Sequence, residues 1–278
     1  MSSLHVESIG SGAPLLLIHG WGMHGGVWEE VAQKLAADLR VHSVDLLGYG
    51  KSARIDLPPQ EKMAIVPSPS PTIPRRERGM DSLNEIVELL ATQFSEPLTV
   101  CGWSLGGQIA LHWAAREPDK VRRLILVAST PCFAQRADWT CGMESDVLRQ
   151  FAGDLEQNHA ATLRRFIALQ LRGSENEREL QVRLRERLFS RGEPDMAALR
   201  AGLDILRDVD LRGELQDIKQ PAMIIAGERD KLTPPAASRY MARTMPSAQL
   251  MEVEGAAHAP FLSHPEIFIE QIKSFLHE

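Results

Sequence analysis

The sequence predicts an α/β fold built on a mostly parallel sheet. Two observations carry this: short apolar runs bounded by turn residues alternate with amphipathic stretches, and a glycine-flanked serine stands at one of the strand-to-helix junctions. The short runs Leu15 to Ile18, Val41 to Val44, Leu98 to Val100, Leu124 to Val127 and Met223 to Ile225 are mainly apolar and bounded by turn residues, as buried parallel strands are. Val27 to Leu39, Leu83 to Phe94 and Leu105 to Arg116 repeat apolar residues at three- and four-residue spacing, the pattern of helices that cross from one parallel strand to the next.

The alternation stops between about Pro131 and Leu211, where helical patterns rich in Arg and Glu, among them Ala161 to Leu171 and Glu177 to Phe189, follow one another without strands. It resumes with the Met223 strand, a helix near Ala236 to Thr244, a strand near Gln249 to Val253 and a last helix from Pro265 to Leu276. The expected organisation is a core domain of residues 1–130 and 211–278, with a helical cap of residues 131–210 inserted into it. Residues 54–78 include PSPSPTIP, which can form neither a regular helix nor a central strand because clustered prolines remove backbone donors. A loop this long is either functional or disordered, and its Pro and Ser content favours a flexible excursion.

With 278 residues, 44% of them hydrophobic, the chain can bury a large core. A net charge of −6 argues against a general polyanion binder, so nucleic acid is not an expected partner. Cys101, Cys132 and Cys141 cannot all pair with one another, and their spacing matches neither a zinc site nor a disulfide framework. The opening MSSLHVESIGSG lacks the basic start and apolar run of a secretory signal, and no stretch reaches membrane-spanning length. A cytoplasmic protein that does not enter the membrane is expected.

The strongest chemical signal is VCGWSLGG, where Gly102, Ser104 and Gly106 form GxSxG between an apolar strand and an apolar helical pattern. Such a turn strains the serine backbone and lifts its hydroxyl clear of the sheet, whereas an ordinary glycine-rich turn would not need that context. Ser104 is the candidate nucleophile, and the Leu105 N–H at the helix start can stabilise an oxyanion. Of nine histidines, His258 in EGAAHAPFLSHP lies in a small-residue loop after the last strand, placed to act as base. His264 precedes a proline and suits the start of the final helix. His42, His112 and His159 read as structural or exposed. Asp230 in IIAGERDKLTPP follows a strand and precedes a proline-marked turn, which favours it over Glu228 as the acid that orients His258.

The chain order Ser, Asp, His matches the α/β-hydrolase fold and not the other two well-known serine-protease orders. IHGWG, with His19 and Trp21, supplies a glycine turn where that fold places a second oxyanion amide, assigned to Trp21; its indole can be a core aromatic at the same time. VDLLGYGKS matches the DxxGxGxS turn of the fold, in which Asp45 is structural rather than catalytic.

Together these motifs resemble the pimeloyl-acyl-carrier-protein methyl ester carboxylesterase family of biotin synthesis. The resemblance rests on the triad and on LLIHGWGMHGGVW, GWSLGGQIALHWA, RFIALQ, LDILRDVDLR and AAHAPFLSHP, with Trp21 and Trp103 especially informative. It implies a serine esterase that hydrolyses the methyl ester of pimeloyl-acyl carrier protein, with Trp21, Ser104, Leu105, Phe166 and Gln170 bordering the substrate. Helix packing for Phe166 and solvent exposure for Gln170 are the plainer readings of the last two. Arg165 and Arg178 on the cap can receive the acidic carrier protein, although nearby Glu175, Glu177 and Glu179 can pair with them instead. The expected partner is the carrier protein, with the chain itself a monomer, and no cofactor or metal is called for. Residues 54–78 are longer and more proline-rich than the family leads one to expect. A general carboxylesterase for short to medium-chain esters uses the same triad. A noncatalytic binding protein on this fold would have little use for all three triad members.

Overall fold

The structure is a computed structural model that describes residues 4–52 and 75–277. Seven strands form one sheet: β1 (His5–Ile9), β2 (Ala13–Ile18), β3 (Leu39–Asp45), β4 (Leu98–Trp103), β5 (Val121–Val127), β6 (Ala222–Gly227) and β7 (Ala248–Val253). Their spatial order is β1-β3-β2-β4-β5-β6-β7, parallel throughout except for β1, which runs antiparallel to β3 with His5 opposite Asp45. The inner strands take up the core: every residue of β4 and β6 is buried. The edge strand β1 was not foreseen, since HVESI mixes polar and apolar residues and remains only partly covered.

Helix α1 (Glu29–Leu35) follows a 3-10 turn, Gly25–Trp28. It ends earlier than the Val27 to Leu39 spacing predicts, because Leu39 pairs with Ala13 and begins β3. Helix α2 (Arg75–Gln93) precedes β4, α3 (Leu105–Arg116) follows it, and α3 is buried from Leu105 to Ala114. Of the proline-rich stretch, residues 54–74 lie outside the described residues, and Arg75 to Arg78 form the first turn of α2 rather than loop, Arg and Glu being strong helix formers.

Between β5 and β6 come α4 (Ser145–Gln157), α5 (His159–Leu171), α6 (Glu177–Leu188) and α7 (Met196–Asp208). The two ends of this excursion meet, the Leu211 N–H donating to the Pro131 carbonyl at 2.8 Å. Helix α7 lies against α2, where a Cβ on Gly79 would fall 2.5 Å from the Asp204 carbonyl oxygen, so glycine permits the approach. Residues 132–143 form a bridged loop whose Cys132 and Trp139 pack with Ala237 on α8 (Pro235–Thr244). The chain closes with α9 (Pro260–Ser263) and α10 (Pro265–His277). Among the described residues no helix is long and apolar enough to cross a membrane.

One buried carboxylate ties the excursion to the sheet. Asp45, fully buried at the end of β3, accepts from the Gly25 N–H at 2.6 Å and the Lys51 N–H at 2.8 Å, and pairs with Arg191 at 3.2 Å. Arg191 also reaches Glu7 on β1. Upstream, Arg187 donates to the Gly26 carbonyl, and Arg183 pairs with Glu30 on α1. Removing one member of such a buried pair strands the other, so Asp45→Ala is expected to cost about 3–5 kcal/mol in urea unfolding. A change within ~0.5 kcal/mol would show that the anchor carries no stability.

Candidate active site

The site begins at the turn from β4 into α3. Ser104 has φ +55°, a left-handed conformation that a residue with a side chain adopts only under constraint. The constraint is local crowding. A Cβ on Gly102 would lie 2.1 Å from the Gly106 carbonyl oxygen, and one on Gly106 would lie 2.5 Å from that of Ile18. The Ser104 N–H donates to the Val127 carbonyl at 3.0 Å, and the Ser129 hydroxyl donates to the Ser104 carbonyl at 2.8 Å, which fixes the turn from the side of β5. Leu105 is the first residue of α3, so its N–H has no intrahelical acceptor and faces the positive end of the helix dipole.

Loops after β6 and β7 bring the other two residues to this turn. His258 Nε2 lies 2.9 Å from Ser104 Oγ, and His258 Nδ1 lies 2.8 Å from Asp230 Oδ2. A carboxylate only accepts, so Nδ1 carries the proton and Nε2 is left to accept from the serine hydroxyl. All three side chains are buried, Ser104 retaining 8% exposure. Asp230 Oδ1 accepts from the Leu232 and Thr233 N–H groups at 2.8 and 3.0 Å, and Oδ2 accepts from the Thr233 hydroxyl at 2.7 Å. The indole N–H of Trp103 donates to the His258 carbonyl at 2.7 Å.

The IHGWG turn abuts the nucleophile: a Cβ on Gly20 would sit 3.3 Å from that of Ser104. Trp21 donates its indole N–H to the Leu199 carbonyl on α7 at 2.9 Å, and its ring meets Phe166 and Phe151 edge-on at 5.0 and 5.3 Å. Phe166 therefore packs on the Trp21 side chain. Gln170 is buried at 2% exposure, which overturns the solvent-exposed alternative; its backbone carbonyl accepts from the His258 N–H at 3.0 Å, and its Oε1 has no partner among the described residues. Arg165 is exposed and pairs with Asp154 at 2.9 Å, and Arg178 is exposed with no ion pair among the described residues.

The remaining candidates lie apart from the serine. His19 accepts from the Leu46 N–H through Nε2 at 3.0 Å and donates through Nδ1 to the Gly20 carbonyl at 2.8 Å, cementing the turn. Glu228 accepts from the Gly255 N–H and leaves His258 to Asp230. His264 bridges α9 and α10, and its carbonyl accepts from the Phe268 N–H at the start of α10. His42 bonds Ser8, His112 lies between Asn84 and Glu214, and His159 bonds Glu193. Sequence reasoning missed Thr233, although a threonine three residues past a turn aspartate is a recognisable hydroxyl-to-carboxylate pattern.

With the geometry in hand, comparison with known proteins gives a consistent result. Residues 13–265 match the family described as alpha/beta hydrolase fold. A pimeloyl-[acyl-carrier protein] methyl ester esterase from Nitrosomonas europaea is 40% identical over 97% of this chain and 98% of its own. The corresponding esterase from Chromobacterium violaceum is 39% identical over 99% of this chain and 98% of its own. The chain belongs to the pimeloyl-[acyl-carrier protein] methyl ester esterase family of α/β hydrolases. An esterase structure from Exiguobacterium antarcticum superposes with a TM-score of 0.81 at 24% identity, covering 99% of this chain and 96% of that one, which shows the shared fold.

Two measurements probe this geometry. Asp230→Asn leaves the shape but presents an amide to His258 Nδ1, which favours the wrong tautomer, and is expected to lower kcat on a p-nitrophenyl ester by about 10⁴; a loss below about tenfold would remove Asp230 from the relay. Burial holds His19 down to about 4, against the pull of the Gly20 carbonyl and Asp45. The unfolded chain takes up that proton near pH 6.5, whereas the folded chain excludes it until about 4. Unfolding therefore binds protons across that window, and stability falls as pH is lowered through it. An NMR titration of the His19 ring should place its midpoint near 4; a midpoint near that of a free histidine would contradict its burial.

Proposed function

We propose that this chain is a serine carboxylesterase that hydrolyses the methyl ester of pimeloyl-acyl carrier protein, releasing methanol and the free pimeloyl carboxylate for biotin synthesis. The observation that carries this is the Ser104–His258–Asp230 relay, set beneath helices α4 to α7 in a chain that matches esterases of that name over nearly its whole length. Ser104 Oγ attacks the ester carbonyl as His258 Nε2 takes its proton. The Leu105 and Trp21 N–H groups receive the developing oxyanion. His258 passes the proton to the departing methoxide, Asp230 stabilises the transient imidazolium, and methanol leaves an acyl-serine. Water then gives a proton to His258 and attacks the acyl carbon, and His258 returns that proton to Ser104 Oγ as the acyl–oxygen bond breaks and the free acid leaves.

The helical insertion, residues 131–210, acts as the cap, with Phe166 and Gln170 bordering the acyl chain beside Trp21, Ser104 and Leu105. Arg178 has no ion pair among the described residues, and Arg165 is exposed and shares its charge with Asp154 alone, so both can meet the acidic carrier. The three cysteines are free thiols, which suits a reducing cytoplasm, and we place the chain there as a monomer without cofactor.

The test is release of methanol and free pimeloyl-carrier protein from the methyl ester, run beside a short-chain p-nitrophenyl ester. Ser104→Ala is expected to lower turnover of both by about 10⁴ or more. Ser104-dependent turnover of the small ester alone would replace this assignment with a general carboxylesterase.

A further inference from the structure

The loop that carries His258 is held from two sides, and only one of them belongs to the sheet. On the sheet side the Arg229 N–H donates to the Ala256 carbonyl at 2.8 Å, the Glu228 N–H to the Val253 carbonyl at 3.0 Å, and the Gly255 N–H to Glu228 Oε2 at 3.0 Å. On the other side stands the turn between α5 and α6. The Gln170 carbonyl, in the last turn of α5, has no intrahelical donor and accepts from the His258 N–H at 3.0 Å. Ser174, 8% exposed, accepts through its hydroxyl oxygen from the Ala257 N–H at 3.3 Å. The Glu175 N–H donates to the Gly255 carbonyl at 3.2 Å, and the Arg229 guanidinium reaches the Gly173 carbonyl at 3.2 Å. Three consecutive contacts of the turn thus fall on Gly255, Ala257 and His258.

We propose that the α5–α6 turn, residues 170–175, is a clamp that sets the height of the base, and that Ser174 is a positioning residue for the esterase reaction: its hydroxyl holds the Ala257 amide, and thereby the His258 ring, in line with Ser104. Gly255, at φ +74°, and the buried Ala256 and Ala257 form a segment whose side chains end at a methyl group, so its backbone bonds do much of the fixing. Its geometry therefore depends on hydrogen bonds to its backbone, and three of those come from the insertion, at Gln170, Ser174 and Glu175. A displaced ring lengthens the 2.9 Å contact from His258 Nε2 to Ser104 Oγ. The clamp acts on proton transfer rather than on substrate affinity, because the atoms it holds face the base loop and not the acyl chain. It also makes the seating of the insertion a condition for a competent base, so a substrate that lifts α5 must let it return before the chemistry proceeds.

This inference rests on the assignment of Ser104, His258 and Asp230 as the catalytic relay, and the experiment separates the two. Ser174→Ala and Ser174→Thr are compared with wild type in kcat and KM for a p-nitrophenyl ester, and in the saturating rate of Ser104 phosphonylation by a fluorophosphonate. Ser174→Ala is expected to lower kcat and the labelling rate by about tenfold with KM unchanged, and Ser174→Thr, which restores the hydroxyl, to recover most of both. Arg229→Ala, at an exposed site after β6 whose guanidinium holds the Gly173 carbonyl of the same turn, should lower both in the same direction and keeps the test open if Ser174→Ala folds poorly. Wild-type labelling in both variants, or a loss confined to KM, would overturn the clamp. Full turnover by Ser104→Ala would instead overturn the relay on which it rests.

Discussion

The positive-φ turn at Ser104 is the constraint on which the rest of the structure depends. A serine held in that conformation needs space on both sides, and the molecule supplies it by keeping side chains out: Gly102 faces the Gly106 carbonyl and Gly106 faces that of Ile18. The strain is repaid by burial. Helix α3 is enclosed along ten residues and β4 along six, so the turn cannot relax without pulling apart the centre of the sheet. The same geometry that projects the hydroxyl leaves the first amide of α3 beside it without an intrahelical acceptor.

The helical insertion is bound into this centre at three chemically different places. Arg191 reaches the buried Asp45 and makes an electrostatic anchor at the β3 end. Trp21 lies beside Ser104, its indole N–H on α7 and its ring against Phe151 and Phe166, so its side chain is held by the insertion while His19 holds the backbone of the turn. The Gln170 carbonyl meets the amide of His258. Ser104 and Asp230 take their hydrogen bonds from the sheet and its loops, whereas Trp21 and His258 also bond the insertion.

Much of this was legible in the sequence because it obeys local rules. Short runs rich in apolar residues located six of the seven strands described, and the Leu105 to Arg116 spacing reproduced α3 end for end. GxSxG, with an aspartate and a histidine after later strands, named three residues that the structure brings within hydrogen-bond distance. What escaped depends on distance in space. Edge strand β1 carries no continuous apolar run, and it is fixed by pairing with β3. Burial of Gln170 follows from the meeting of α5 with a loop 88 residues away in sequence, which no periodicity encodes. Thr233 lies between, close enough to Asp230 for a turn pattern to have found it.

The most direct test of the central claim is to locate the covalent adduct formed by a fluorophosphonate, by mass spectrometry of the digested protein, in wild type and in His258→Ala. The relay predicts a single adduct on the peptide carrying Ser104, formed at least a hundredfold more slowly, on the order of the contribution of a general base, when His258 is removed. An adduct on another residue, or equally rapid labelling of Ser104 without His258, would contradict it.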